Sequence, residues 1–291
     1  MIKKGLQIAK HKLIETIFTS KVSSRLSPLI KLLVSLRLVN VWEGIYNSWE
    51  DAPRDDSHFE DNIWIKKVTD QAQKNLTAYN SGKNLCLASS TQDYILSLAG
   101  GMLLSSSENN LCVLDFGGGM GTSFFPLIAS LPDSKKIEFH IVDLKTICER
   151  AQKILGGFPQ LYFHEELPKL SKPVNIIHAG SSIQYISDWK GLLAAFINYQ
   201  PEILVLEDIM AGDIPSFITN QNLYGKKVRS HFLNINELIQ EVQGLGYKLI
   251  YKSKCTQNFL GELGGSLPMK NFPTQYQLDY GSHLIFKRIK H

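Results

Sequence analysis

An apolar run that ends on an acid and breaks straight into glycines frames the whole chain. Residues 111–116 read Leu-Cys-Val-Leu-Asp-Phe, and Gly117, Gly118, Gly119, Met120, Gly121 and Thr122 follow at once. A short apolar run bounded by turn formers marks a strand buried on both faces, the kind that builds parallel sheets. The stretch 123–130 predicts a helix, so the glycines occupy a strand-to-helix turn. Glycine at 117, 119 and 121 lets the backbone turn tightly and approach a ligand with no Cβ in the way. In open α/β sheets, ligands bind beyond the carboxyl ends of the strands.

The same alternation continues downstream. Strands are expected at 138–142, 160–163, 175–179 and 202–206, with helices at 145–155 and 189–199. A helix at 236–243 stops at Gly244 and Gly246, and strands at 247–252 and 283–287 follow across a Gly/Pro-rich excursion. This pattern predicts an α/β fold: a Rossmann-like doubly wound sheet, mostly parallel with an antiparallel C-terminal strand pair. Upstream, 62–79 and 91–104 read as helices and form an N-terminal helical cap. Residues 42–62 mix aromatics with Gly and acids and predict no regular element. The expected organisation is an arm (1–40), a cap with an aromatic segment (41–110) and a sheet domain (111–291).

Charge divides the chain unevenly. The first 40 residues hold eight basic side chains against one acid, Glu15, a net +7. The other 251 hold 23 basic and 26 acidic side chains, a net −3. An acidic body lacks the basic face that nucleic acid requires, so no nucleic-acid partner is expected. Apolar residues at near-helical spacing between lysines make 2–22 a basic amphipathic helix, with 26–41 a second helical piece. Two readings stay open for this arm: an interfacial helix on an anionic membrane surface, or helices packed on the body. The most apolar stretch, 26–42, is broken by Pro28, Lys31, Arg37 and Asn40, too often for a spanning helix. The start also lacks the uninterrupted apolar segment of a signal peptide. With 291 residues and 44% hydrophobic content, the chain can build a core without disulfides. Its cysteines at 86, 112, 148 and 255 read as reduced thiols of a cytosolic protein, with Cys112 in the core. No two have metal-ligand spacing, and no metal is expected.

A dinucleotide fingerprint needs Gly-x-Gly-x-x-Gly/Ala, and here its last position is Thr122 or Phe124, which disfavours a nicotinamide oxidoreductase. What stands instead is acid-x-Gly-x-Gly-x-Gly from Asp115 to Gly121. It resembles the first motif of class I S-adenosylmethionine-dependent methyltransferases. That resemblance implies a loop of Gly117, Gly118, Gly119 and Gly121 around the methionine end of S-adenosylmethionine, with Asp115 close by. Asp143, followed by Leu144, ends the second strand. The resemblance makes it the ribose ligand, and its position equally suits a helix N-cap. After the third strand, Glu165 and Glu166 are adenine ligands by resemblance or plain solvated acids. After the fourth come Ser181, Gln184 and Tyr185, in the segment that in this family passes beside the transferable methyl.

Trp42-Glu43-Gly44-Ile45-Tyr46 with Ser48 and Trp49, the Asp115–Gly118 turn, Ile183–Ile186 and Pro215–Gln221 narrow the match further. Together they resemble a family of methyltransferases found among bacterial surface-polysaccharide genes, over about residues 42–288. Tyr46, Trp49 and Gln221 are then candidates for an acceptor wall, and Tyr46 and Trp49 equally fit as packing aromatics. The implied reaction is methyl transfer to an oxygen of a glycan or small metabolite, with His178, His231 and Asp208 as candidate bases. No Asp/Asn-Pro-Pro-aromatic motif and no Pro-Cys pair occur, which disfavours adenine-amine and cytosine-C5 methylation. The alternative is a non-catalytic cofactor-binding or scaffold protein on the same fold.

Overall fold

A computed structural model describes residues 40–55, 62–82, 94–104, 110–131, 137–223, 226–256 and 266–289. The basic arm and Cys86 lie outside the described residues, while Cys112, Cys148 and Cys255 are free and buried.

The strand-helix alternation is realised as β2 (Leu111–Phe116), α3 (Phe124–Ser130), β3 (Ile137–Val142), α4 (Lys145–Leu155), β4 (Leu161–His164), β5 (Ile176–Gly180), α5 (Trp189–Ile197) and β6 (Ile203–Ile209). Before it come β1 (Trp42–Tyr46), α1 (Asn62–Asn80) and α2 (Tyr94–Leu104). After it come β7 (Ala211–Gly212), β8 (Phe217–Leu223), β9 (Lys226–Asn234), α6 (Ile235–Gly244), β10 (Tyr247–Cys255) and β11 (Gly281–Arg288).

The main sheet has the order β10-β11-β6-β5-β2-β3-β4. Strands β2 to β6 pair in parallel, and β11 pairs antiparallel with both β6 and β10. The expected antiparallel C-terminal pair is therefore present, and β10 runs in the direction of the parallel set. From β2 the chain moves out to β3 and β4, then crosses back to β5, so the strand order reverses between β2 and β5. At such a reversal the loops diverge and open a crevice at the strand ends.

Alternation along each buried strand sorts the core into two layers. One face carries Leu114, Ile177, Leu204 and Phe286 against Leu193 and Phe196 of α5 and Leu238 and Val242 of α6. The other carries Val113, Phe139, Val205 and Ile285 against Leu96 and Ala99 of α2 and Phe124, Phe125 and Leu127 of α3. Ile65 and Ala72 of α1 meet Ile147 and Ala151 of α4 with Met120 between them, so α1 closes over the glycine turn. The N-cap side chains of α5 and α6, Asp188 and Asn234, accept the backbone N–H groups of Gly191 and of Asn236 and Glu237.

A second sheet, β1-β8-β9-β7, stands at the carboxyl end of β6, joined to it through Met210. It has its own core of Trp42, Met210, Phe217, Phe232, Met269 and Phe272. This corrects the reading of 42–62 as irregular: Trp42–Tyr46 is a strand on β8, with a register break between Glu43 and Tyr46. Gly44 allows that break by taking φ +82. No described helix is long and apolar enough to cross a membrane.

Candidate functional site

Of the predicted cofactor residues, Asp115, Gly117, Gly118, Gly119, Gly121, Asp143, Leu144 and Ser181 stand at the carboxyl ends of β2, β3 and β5, and Glu165 follows β4. The turn after β2 alternates hand: Gly117, Gly119 and Gly121 have φ +69, +58 and +75. Only glycine takes three such positions in one turn without strain. Gly118 is required for a different reason, since a Cβ there would sit 2.5 Å from Asp115 Oδ2. A Cβ on Gly119 would instead project into open space.

Asp143 ties this turn to β3. Its Oδ2 accepts the Gly119 N–H at 2.8 Å and its Oδ1 accepts the Leu144 N–H at 2.7 Å. The N-cap position of α4 is Leu144, with no side-chain cap, so Asp143 acts on the glycine turn rather than capping that helix. Burial raises its pKa, while the two backbone bonds oppose the rise. Each oxygen still has a lone pair for a further donor. Glu165 and Glu166 are exposed, with Lys145 4.0 Å from Glu165, and neither is drawn to the turn.

Beneath the turn lies a row of buried charge that the sequence reading did not assemble. Asp115, His178 and Glu207 project on the face of the sheet that carries Val113, Ile176 and Val205. His178 Nδ1 is 2.7 Å from Asp115 Oδ1, and its Nε2 is 3.0 Å from Glu207 Oε2. Burial opposes a charge on His178, but the Asp115 and Glu207 carboxylates overcome it and hold the imidazole up to about 10. His178 was a candidate base. With both nitrogens donating to carboxylates, it has no lone pair for an acceptor's proton, so the geometry gives it a positioning role. The other oxygen of Asp115, Oδ2, is buried with no hydrogen-bond partner among the described residues. Two carboxylates and one imidazolium leave a net negative charge below the turn. A ligand with a cationic group would satisfy both the charge and the orphaned oxygen.

Between the ends of β5 and β6 and the second sheet is a pocket of about 130 Å³, lined by Trp42, Ser181, Tyr185, Asp208, Gln221 and Cys255 among others. Ser181 and Asp208 are two of the three non-glycine residues with positive φ among the described residues, at φ 50 and 51. Backbone strain of this kind collects where a side chain has to be aimed. The Asp208 N–H donates to His283 Nδ1 at 3.2 Å, and Cys255 Sγ lies 3.2 Å from Asp208 Oδ1. Burial and then the charge on His178 push His283 down to about 4, so it stays neutral and accepts this bond. Tyr185 donates to Gln221 Oε1 at 2.7 Å across the pocket, and burial followed by Asp208 raises its phenol. Gln184 is fully buried behind them and braces Ser181 Oγ and the Asp208 carbonyl, both at 3.3 Å.

Of the aromatic candidates, Tyr46 and Trp49 stand outside the pocket lining. Tyr46 receives a hydrogen bond from Asn220 at 3.3 Å, and Trp49 stacks on His231 with centroids 4.6 Å apart. His231 Nε2 donates to the Ser187 carbonyl at 3.2 Å, and burial lowers its pKa. Asp208 is thus the one candidate base in the lining. The aromatic residues in the lining are Trp42 and Tyr185.

No protein-family model matches the chain, and no curated protein matches it. Among solved structures it is similar to 1,6-didemethyltoxoflavin-N1-methyltransferase of Burkholderia thailandensis, crystallised with bound 1,6-didemethyltoxoflavin and S-adenosylhomocysteine. The identity is 14%, covering 82% of this chain and 93% of that one, with a TM-score of 0.45. It is similar to the glycopeptide N-methyltransferase MtfA complexed with S-adenosylmethionine, at 15% identity over 67% of this chain and 93% of that one, TM-score 0.43. It is also similar to an S-adenosylmethionine-dependent methyltransferase of Methanosarcina mazei, at 12% identity over 65% and 98%, TM-score 0.45.

Proposed function

We propose that this chain is a class I S-adenosylmethionine-dependent methyltransferase acting on an oxygen of a glycan or small metabolite. The observation that carries the reading is the orphaned, buried Oδ2 of Asp115, part of a net negative row beneath three left-handed glycines. The residues present fit S-adenosylmethionine. Asp115 Oδ2 suits its ammonium, the Asp143 carboxylate its ribose hydroxyls, and the Gly117–Gly121 backbone a closely approaching ligand. Bound there, the cofactor supplies an electrophilic methyl on a sulfonium.

The chain supplies alignment and exclusion of water. Ser181 and Tyr185 reach the pocket from the end of β5, and Trp42 and Gln221 from the second sheet. Asp208 takes the acceptor hydroxyl proton. The surface-polysaccharide resemblance supports a sugar acceptor, which Trp42 and the Gln221 amide would border. If that sugar is lipid-linked, the basic arm holds the enzyme at the cytoplasmic face of a membrane.

Calorimetry with S-adenosylhomocysteine tests the cofactor reading. Wild type binds it in preference to NAD, while Gly119→Val and Asp143→Ala lose or strongly weaken binding. No binding to wild type, or a preference for NAD, overturns the proposal. A methyl-donor assay on cell extracts, read by mass spectrometry, then identifies the acceptor. With that acceptor, Asp208→Asn lowers kcat by about 10²–10⁴-fold and leaves S-adenosylhomocysteine affinity unchanged. Asn is the informative replacement because it tolerates positive φ.

A further inference from the structure

A second cluster of reactive side chains lies on the opposite face of the main sheet. Cys112 is near the start of β2, and Glu138 and His140 are on β3. Glu138 is the register partner of Cys112, and His140 is two residues further on, so all three side chains leave the sheet on one face. One ligand atom from each lies within 4.8 Å of the others. Cys112 and His140 are buried and Glu138 is partly buried. Along the strand Glu138 is five positions before Asp143, roughly 16 Å, and His140 three positions, roughly 10 Å, so the cluster stands apart from the glycine turn.

We propose that Cys112 Sγ, Glu138 Oε1 and His140 Nε2 form a zinc site, completed by a water, separate from the cofactor site. Sulfur, nitrogen and oxygen donors together suit Zn²⁺. Glu138 Oε1 and His140 Nε2 are 3.1 Å apart. Ligands about 2.0–2.1 Å from a tetrahedral zinc are roughly 3.3 Å from each other, so this edge is already in place. Zinc binding would draw the Cys112 sulfur, within 4.8 Å of a ligand atom of each of the other two, closer to this edge.

The surroundings supply the supporting bonds that metal ligands need. His140 Nδ1 is 2.9 Å from His164 Nε2 on β4, and Lys172 Nζ is 2.7 Å from the other oxygen of Glu138. Without metal, His164 Nε2–H donates to His140 Nδ1, and His140 Nε2–H donates to Glu138. With metal, His140 turns a lone pair on Nε2 toward it and donates Nδ1–H to His164 Nε2. Ligating histidines are held in this manner, by a second group on the far nitrogen. Both imidazoles stay neutral in each state. The zinc–sulfur bond forms as the Cys112 S–H bond breaks, and that one proton leaves to solvent.

Such a site would tie β2 to β3 and, through His164, to the edge strand β4. On this face Leu167 and Leu170, from the irregular segment after β4, pack against the core where other parts of the sheet have a helix.

Full-length protein stripped with a chelator and titrated with Co²⁺ tests the site. We expect one equivalent bound, with a sulfur-to-cobalt charge-transfer band that Zn²⁺ abolishes. Cys112→Ser removes the band. His164→Gln keeps it while weakening affinity about 10–100-fold. All variants bind S-adenosylhomocysteine as wild type does, which keeps this test apart from that of the methyltransferase reading. Absence of the band in wild type, or its persistence in Cys112→Ser, overturns the proposal.

Discussion

At the scale of single residues, His178 shows how far a side chain's role depends on what crosses the sheet to meet it. Asp115, His178 and Glu207 are distant in sequence and become neighbours only through the β2–β5–β6 pairing. Composition and spacing leave a histidine free to be a base; the pairing fills both of its nitrogens. Removing it strands two buried carboxylates, and breaking a buried pair in this way costs about 3–5 kcal/mol. We expect His178→Gln to lower the urea midpoint accordingly and to weaken S-adenosylhomocysteine binding more than it lowers kcat at saturating cofactor. The sign with pH follows from the raised pKa. The folded value is about 10, above the ordinary histidine value of 6.5. The stabilisation is therefore fully present below 6.5 and lost as pH rises through about 10. Urea titrations of wild type near pH 6 and near pH 10 should differ, and the difference should shrink in His178→Gln. An equal difference in both proteins would remove His178 from the account.

At the scale of elements, the buried strands and their helices were legible and the second sheet was not. β2 and α4 have the bounds expected of them because an apolar run and a strong amphipathic period each admit one reading. β8 defeats that logic. It is buried through Phe217–Gln221, yet three of those buried residues, Thr219, Asn220 and Gln221, are polar. Partners for these polar groups come from other elements: Thr219 Oγ1 donates to the Glu43 carbonyl and Asn220 Nδ2 to Tyr46 Oη, both on β1, and Gln221 Oε1 accepts from Tyr185. β1 itself hides behind the left-handed Gly44, which breaks the two-residue period. The glycine turn was legible in detail because glycines at fixed offsets have a local backbone cause. The pocket lined by Trp42 and Asp208 was not, since its walls come from short segments scattered between residues 42 and 281. This division predicts separable functions. Trp42 is 1% exposed and packs edge-on against Phe232, 5.5 Å between centroids. Trp42→Ala should cost about 3–5 kcal/mol of stability. Below its unfolding transition it should lose acceptor turnover while holding S-adenosylhomocysteine within a few-fold of wild type. Parallel loss of both would mean that the second sheet also builds the cofactor site.

At the scale of the whole molecule, the net charge of +4 is a sum over unlike parts. The described body pairs some of its surface charges, as in Lys190–Glu241 and Lys287–Glu202, partly exposed contacts that contribute little to stability. The arm, at net +7 over 40 residues, is the one segment with a field to speak of. Its lysines alternate with Leu6, Leu13, Ile14, Ile17 and Phe18, a pattern that places apolar groups in a bilayer interface and ammonium groups among anionic headgroups. Each basic residue near such a surface contributes about 1 kcal/mol, within a Debye length that salt shortens. The full chain should therefore co-sediment with vesicles containing phosphatidylserine, less at high salt, and not with purely zwitterionic vesicles. Deleting residues 1–40 should release it while S-adenosylhomocysteine binding persists. If the full chain never binds anionic vesicles, the arm's apolar stripe serves packing alone, and a lipid-linked acceptor loses the feature that favours it over a soluble sugar.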